Sequence, residues 1–297
     1  MKIKPKIKNI ITKSLVIFMA LSMFLSISPS TTAFADSFKV VTLGGDLTKQ
    51  QKDEMLTYFK VTKNDANILE ITTDEEQKYL GNVASKAQLG NKSISCSYVE
   101  PTSKGGLVIS TNNLTWVTES MIRNALITAG IENANVTASA PFKVSGTAAL
   151  TGILKGFENS SAGKKIDENK KEAANEELVV TGNMGDKIGQ DQAAKLINDV
   201  KKDVIKEKPK TENDIQKIVD KATKEYKVNL SDEDKASINS LMGKINKLDI
   251  NYSKIKDQLN DAASKLKEQL NSKEAKGFFA KIGGFFSDLF DSIGNLF

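Results

Sequence analysis

The chain has 297 residues, 42 of them basic and 37 acidic, for a formal net charge of +5; it has no histidine, one cysteine (Cys96), one tryptophan (Trp116) and one arginine (Arg123). Without an imidazole there is no Ser-His-Asp or Cys-His catalysis, no His-bearing metal site and no imidazole pH switch. A lone thiol rules out an internal disulfide and a Cys-rich zinc site, and a lone guanidinium leaves little scope for gripping phosphates or guanines.

Residues 1–35 read as a secretory signal peptide. Lys2, Lys4, Lys6, Lys8 and Lys13 precede any acidic residue, an apolar run from Leu15 to Ile27 follows, and Ala33-Phe34-Ala35 offers a small-residue cleavage site. The run is 13 residues, short for a membrane span. Cleavage is therefore expected after Ala35, giving a secreted protein held at the cell envelope. No cysteine adjoins the site, which excludes lipoprotein processing. Removing this segment takes away five lysines and no acid, leaving 37 basic and 37 acidic residues. The basic balance belongs to the targeting segment, so no nucleic-acid partner is expected.

Phe38 to Leu43 is a β-rich run ending at Gly44-Gly45. Thr48 to Gln51 is a capping-box pattern opening a helix through about Phe59. Ile68 to Thr72 predicts a strand, and Thr73 to Glu76 a second capping box. Ser93 to Val99 alternates, with Ile94, Cys96 and Tyr98 on one face. Leu107 to Thr111 predicts a strand, Thr118 caps a helix ended by Gly130, and Asn135 to Ala140 is a further strand. The stretches around Leu47–Ile68 and Leu114–Val136 resemble each other in order and spacing. Two readings stand: a duplicated β-α-β unit, as in ferredoxin-like sandwiches, or chance likeness in a biased composition. Lys143 to Glu158 is a small-residue helix suited to close packing on a sheet. A polar segment then leads to a short helix, and Glu177 to Thr181 predicts one more strand, stopped by Gly182.

Beyond Gly189 the pattern is helical. Ala193 to Lys206 is one helix, Ile215 to Ala222 marks the next, and Ser231 to Asp234 caps a third with acids in its first turn. Leu241, Ile245, Leu248, Tyr252, Ile255, Leu259, Ala262 and Leu266 form a heptad-like seam, read first as an antiparallel hairpin turning at residues 249–251 and second as an intermolecular coiled coil. The last segment is the most distinctive. Phe278, Phe279, Ile282, Phe285, Phe286, Leu289, Phe290, Ile293, Leu296 and Phe297 fall within an arc of about 140° on a helix. Lys281, Asp288 and Asp291 lie opposite and argue against a span through hydrocarbon. This stripe is the candidate membrane- or partner-binding surface; it docks on the protein's own core, lies in a membrane interface or packs on another copy.

The expected fold is α+β. An N-terminal α/β sandwich (36–185) follows the signal peptide (1–35), then come a helical region (186–271) and an amphipathic Phe-rich C-terminal helix (272–297). Carboxylate chemistry stays open, because glycoside hydrolysis needs only two acids. Asp46, Glu75, Glu76 and Glu119 sit at strand-to-helix loops, although helix first turns attract acids for dipole reasons alone. Ser161 to Lys164 matches S-x-x-K without its companion motifs. Gly44-Gly45 reads as a tight turn, Cys96 as a buried small hydrophobe and Trp116 as core. No catalytic, cofactor-binding or metal-ligating residue is assigned.

Several phrases together resemble a known family. They are Val41 to Thr48, Glu75 to Gly81, Asn113 to Thr118, Asn124 to Gly130, Ala140 to Leu154 and Ala174 to Gly182. In combination they resemble the YpuA-like family of secreted Firmicute proteins, a domain of unknown function, over roughly residues 38–250. The resemblance implies an extracytoplasmic Gram-positive protein and carries no activity or catalytic residue with it. The functional expectation is a non-enzymatic binding protein of the cell envelope, with a cell-wall component or a membrane surface as partner. The alternatives are a carboxylate-dependent glycan hydrolase of the wall and a membrane-active protein working through its C-terminal helix.

Overall fold

A computed structural model describes residues 39–271. The segment read as a signal peptide and the Phe-rich segment both lie outside the described residues.

The described chain runs β1 (Val40–Gly44), α1 (Lys49–Tyr58), β2 (Asn67–Ile71), α2 (Thr73–Leu80), α3 (Lys86–Leu89), β3 (Cys96–Pro101), β4 (Leu107–Leu114), α4 (Glu119–Ala129), β5 (Ala134–Val144), α5 (Thr147–Glu158), α6 (Glu168–Ile188), α7 (Gln190–Glu207), α8 (Glu212–Glu225), α9 (Asp232–Lys247) and α10 (Tyr252–Asn271). Helix starts follow their capping residues. Thr48 with Gln51 closes a capping box on α1, and Ser231 with Asp234 closes one on α9. Gly130 takes the left-handed conformation (φ 81°) that ends α4. On α2 the box closes on Thr72 and Glu75, one residue earlier than the Thr73–Glu76 reading. Both quartets fit the pattern; the earlier one leaves Glu76 to turn into the protein.

The five strands form one mixed sheet in the order β2-β1-β3-β5-β4. β1 pairs parallel with β2 and β4 parallel with β5, while β3 runs antiparallel between β1 and β5. The α+β class and the two β-α-β units are therefore as expected. The ferredoxin-like detail is not: that topology splits each β-α-β pair around another strand, and here the two strands of each unit are direct neighbours. The units also differ in placement. The leading strand β1 is internal in the first unit, and β4 is an edge strand in the second.

The sheet separates two apolar clusters. Val41, Leu43 and Cys96 pack with Met55 and Leu56 of α1 on one face. Val99, Leu107, Ile109 and Val136 pack on the other with α4, α5 and the later helices. Helix α5 lies close on β1 and β3 because its glycines permit it. A Cβ on Gly152 would sit 2.4 Å from Thr42 Oγ1, and one on Gly156 would press on Val99 and Val40. The small-residue helix thus packs on the sheet as its composition predicts.

The strand predicted at Glu177–Thr181 is the middle of α6, a 21-residue helix. Local β-propensity in Val179-Val180-Thr181 is overridden because Ala174, Leu178 and residues at helical spacing bury against α4 and α7. The turn between α9 and α10 falls where expected, but the two helices make little contact with each other, unlike the antiparallel hairpin read from the sequence, and α7 is the neighbour they share. α9 packs on α6, α7 and α8, whereas α10 packs on α7 and α4. Apart from the half-buried Tyr252, the heptad-like seam is buried within the fold.

Between α4, α6 and α7 lies a polar knot. Lys201 and Glu177 are both fully buried, with Nζ 2.7 Å from Oε1. Lys201 also donates to Thr128 Oγ1 (3.0 Å) and to Asn124 O (2.8 Å), and the Thr128 hydroxyl donates to Glu177. Burial works against both charges, pushing the carboxyl up and the ammonium down, and their mutual attraction opposes it. Lys201→Met alone is expected to destabilise the protein by about 3–5 kcal/mol, because Glu177 is left buried and unpaired. The pair Lys201→Met with Glu177→Leu should recover most of that loss; urea unfolding of the three chains checks it.

Candidate functional site

The four carboxylates singled out in the sequence meet different environments. Asp46 is exposed, follows Gly44-Gly45, and accepts from the Ser93 backbone N–H at 2.7 Å. A Cβ on Gly44 would lie 2.5 Å from Ser93 O, so this glycine pair serves close backbone packing, as the tight-turn reading has it. Glu119 accepts from the Thr111 backbone N–H at 3.2 Å, which satisfies a donor on edge strand β4.

Glu75 and Glu76 are neighbours with opposite fates. Glu75 caps α2 through the Thr72 N–H (3.0 Å) and pairs with Lys155 Nζ at 2.5 Å. Burial opposes its charge, but Lys155 and Thr72 outweigh it and hold the carboxyl below its ordinary value. Glu76 is 2% exposed, has no ammonium partner, and accepts from the Thr147 hydroxyl at 3.2 Å. Burial pushes its carboxyl up to about 7; the Ser93 and Thr147 hydroxyls pull down, and the charge of Asp46 adds to the rise. The structure thus brings Asp46, Glu76, Ser93 and Thr147 together at the end of β1, with Glu75 turned to the other side of α2 and Glu119 elsewhere.

A folded-state value near 7 against 4.5 in the unfolded chain means the native protein binds the extra proton between those pH values. The stability it contributes is complete below about pH 4.5 and is lost as pH rises through 7. Glu76→Gln mimics the protonated form. The variant should match the parent near pH 4.5 and exceed it by about 3 kcal/mol at pH 8, as read from urea midpoints.

The remaining motifs have structural explanations. Cys96 is buried, and burial pushes its thiol up to about 11, which makes a poor nucleophile. Ser161 and Lys164 lie in the loop between α5 and α6 and not at a helix start. Trp116 lies across α6, its Nε1 donating to Asp186 at 3.0 Å. A Cβ on Gly182 would fall 2.1 Å from the indole ring. Gly182→Ala therefore sets a helix-propensity gain of about 1 kcal/mol against overpacking of about 1–3 kcal/mol. The expected result is a net loss of stability with a red shift of the single tryptophan's emission; unchanged emission would contradict this packing.

One cleft of about 660 Å³ opens beside the β3–β4 turn. Glu100, Ser103, Glu132, Asn133 and Lys164 line it around the edge of Phe157. This mixture of carboxylate, hydroxyl, amide and one aromatic ring was not predicted, because its members come from four separate loops and helix ends. Among the described residues there is no cluster of three or more Cys, Asp or Glu able to hold a metal ion. None of the described helices is long and apolar enough to cross a membrane. The ten residues of the Phe-rich stripe lie outside the described residues.

A family model described as "Protein of unknown function (DUF1002)" matches residues 43–262. The chain belongs to this family. It is also similar to the "Uncharacterized protein YpuA" of Bacillus subtilis (strain 168), with 41% identity over 260 residues, 87% of this chain and 89% of that protein. No solved structure matches. The phrases from Val41 to Gly182 fall almost wholly inside the matched region, in keeping with the resemblance read from them.

Proposed function

We propose that this is an exported, non-enzymatic binding protein of the cell envelope, attached through the apolar stripe of residues 277–297. The export half of this reading rests on the sequence of residues 1–35, with its lysines, short apolar run and Ala-Phe-Ala site.

One observation carries the attachment half. Among the described residues, the exposed large apolar side chains are Tyr58, Val108 and Phe142, which sit on three different elements. Burying ten large apolar side chains is worth roughly 15–30 kcal/mol, and it requires a contiguous receiving face of several hundred Å². The described surface offers isolated residues in place of such a face. In this reading the interface of a membrane supplies that face. Its polar side holds one lysine and two aspartates, so attachment draws on apolar burial more than on anionic lipid. The polar cleft at the β3–β4 turn is the natural place for a wall component, since carboxylate, amide and hydroxyl groups around a ring suit a polar polymer.

The hydrolase reading loses support. Asp46, Glu75 and Glu119 each serve a backbone donor or an ion pair, and Glu76 is closed off from solvent.

The test is vesicle flotation of the chain lacking residues 1–35, with and without residues 277–297, alongside fractionation of a culture into medium, wall and membrane. The intact chain should float with neutral and anionic vesicles alike and track with the membrane fraction, and the truncated chain should do neither. Equal behaviour of the two chains, or a change in oligomeric state without flotation, would overturn membrane attachment.

A further inference from the structure

Helix α5 turns Thr151 and Lys155 towards α2 and α6, and a cavity of about 100 Å³ lies between the three helices. Glu75, Tyr79, Leu154, Glu158, Lys171 and Asn175 complete its wall. Two of these side chains are buried with an unused polar atom. Thr151 is 4% exposed and Asn175 1% exposed, and neither Thr151 Oγ1 nor Asn175 Oδ1 has a hydrogen-bond partner. The amide is not free to turn over. Its Nδ2 donates to Lys171 O at 2.8 Å, one helical turn back, which leaves Oδ1 as an open acceptor in the cavity wall. Buried polar atoms of this kind are ordinarily filled, so the cavity calls for a polar occupant.

The charges narrow its chemistry. Lys155 Nζ lies 2.5 Å from Glu75 Oε1, and Lys171 Nζ lies 3.2 Å from Glu158 Oε2. Both signs therefore line one small volume, with the open Asn175 oxygen added on the acceptor side. A lone anion would face two carboxylates, and a lone cation would face two ammonium groups. A molecule carrying one charge of each sign meets complementary partners at both ends. At about 30 Å³ for each water in the liquid, the cavity of about 100 Å³ has the room of about three waters, the scale of a molecule as small as glycine or alanine.

We propose that this cavity binds a small free α-amino acid as its zwitterion. The ammonium group donates to Asn175 Oδ1 and Glu158, and the carboxylate lies between Lys155 and Lys171 and accepts from the Thr151 hydroxyl. The site is separate from the polar cleft and from residues 277–297, and it stands whatever attaches the protein to the envelope.

The test is calorimetry and ligand-observed NMR on the chain lacking residues 1–35, with glycine and both enantiomers of alanine. Acetate and methylammonium, each carrying one of the two charges, serve as controls. Saturable binding of glycine or alanine is expected, with either control weaker by about tenfold or more. Thr151→Val and Asn175→Leu keep the shape of the wall and remove its open polar atoms; each should weaken binding by about tenfold with an unchanged circular dichroism spectrum. Should a variant fail to fold, backbone amide shifts in the parent decide, because glycine must perturb residues around Thr151, Lys171 and Asn175. No saturable binding would mean that water alone fills the cavity and would overturn the proposal. Binding of acetate or methylammonium as tight as glycine, undiminished binding in both folded variants, or shifts confined to another region would also overturn it.

Discussion

A fully buried lysine is the constraint around which the helical half of the molecule is arranged. Lys201 has no route to solvent, so its ammonium must find acceptors inside, and it finds them on two other helices: Glu177 on α6, and Thr128 and Asn124 on α4. Sliding α6 by one turn would part the two charges and leave Glu177 buried without a partner. The ionic contact thus sets the register of α6 against α4 and α7, which apolar packing alone specifies less sharply. Whatever α6 carries inherits that register: Gly182 under the Trp116 ring, Asn175 in the wall of the small cavity, and Glu176 paired with Lys244 of α9.

Helix α2 depends on a constraint of the same kind at smaller scale. Two overlapping T-x-x-E quartets, Thr72–Glu75 and Thr73–Glu76, compete for its start. Adoption of the first rotates Glu75 to Lys155 and sends Glu76 inward against Thr147. Reading the second would have exchanged their environments. Adjacent carboxylates therefore end with opposite displacements of their acidity: the half-exposed Glu75 is held by Lys155, and Glu76 is buried.

Most strands and helix starts were legible because they rest on local chemistry: alternation in β3, caps at Thr48, Thr118 and Ser231, and glycines after β1 and α4. The misreadings share a cause. Glu177 to Thr181 has the local composition of a strand, and contacts distant in sequence, the burial of Ala174 and Leu178 against α4 and α7 and the pairing of Glu177 with Lys201 24 residues later, make a helix of it. Nothing distinguishes Lys201 from the other lysines in the sequence, since its burial is decided by the packing of α4, α6 and α7. The seam from Leu241 to Leu266 was legible as buried, but its partners were not, because periodicity states which face is covered and not by what. The polar cleft and the small cavity are assembled from distant segments whose residue types are unremarkable one by one.

The distribution of aromatic residues bears on how the body and its last segment divide their work. Of 13 phenylalanines in the chain, six lie within residues 277–297, and only Phe59, Phe142 and Phe157 lie within residues 39–271. The body makes its core from Ile, Leu, Val and Ala, and glycine and alanine faces let α5 approach the sheet. Such a core is built with few aromatic rings of its own. Rings gain most where one side meets apolar material and the edge stays near water, which is the environment of an interface and not of this interior. With the charges balanced outside residues 1–35, net charge supplies no general attraction to an anionic surface, so the attachment proposed above rests on apolar burial by the stripe.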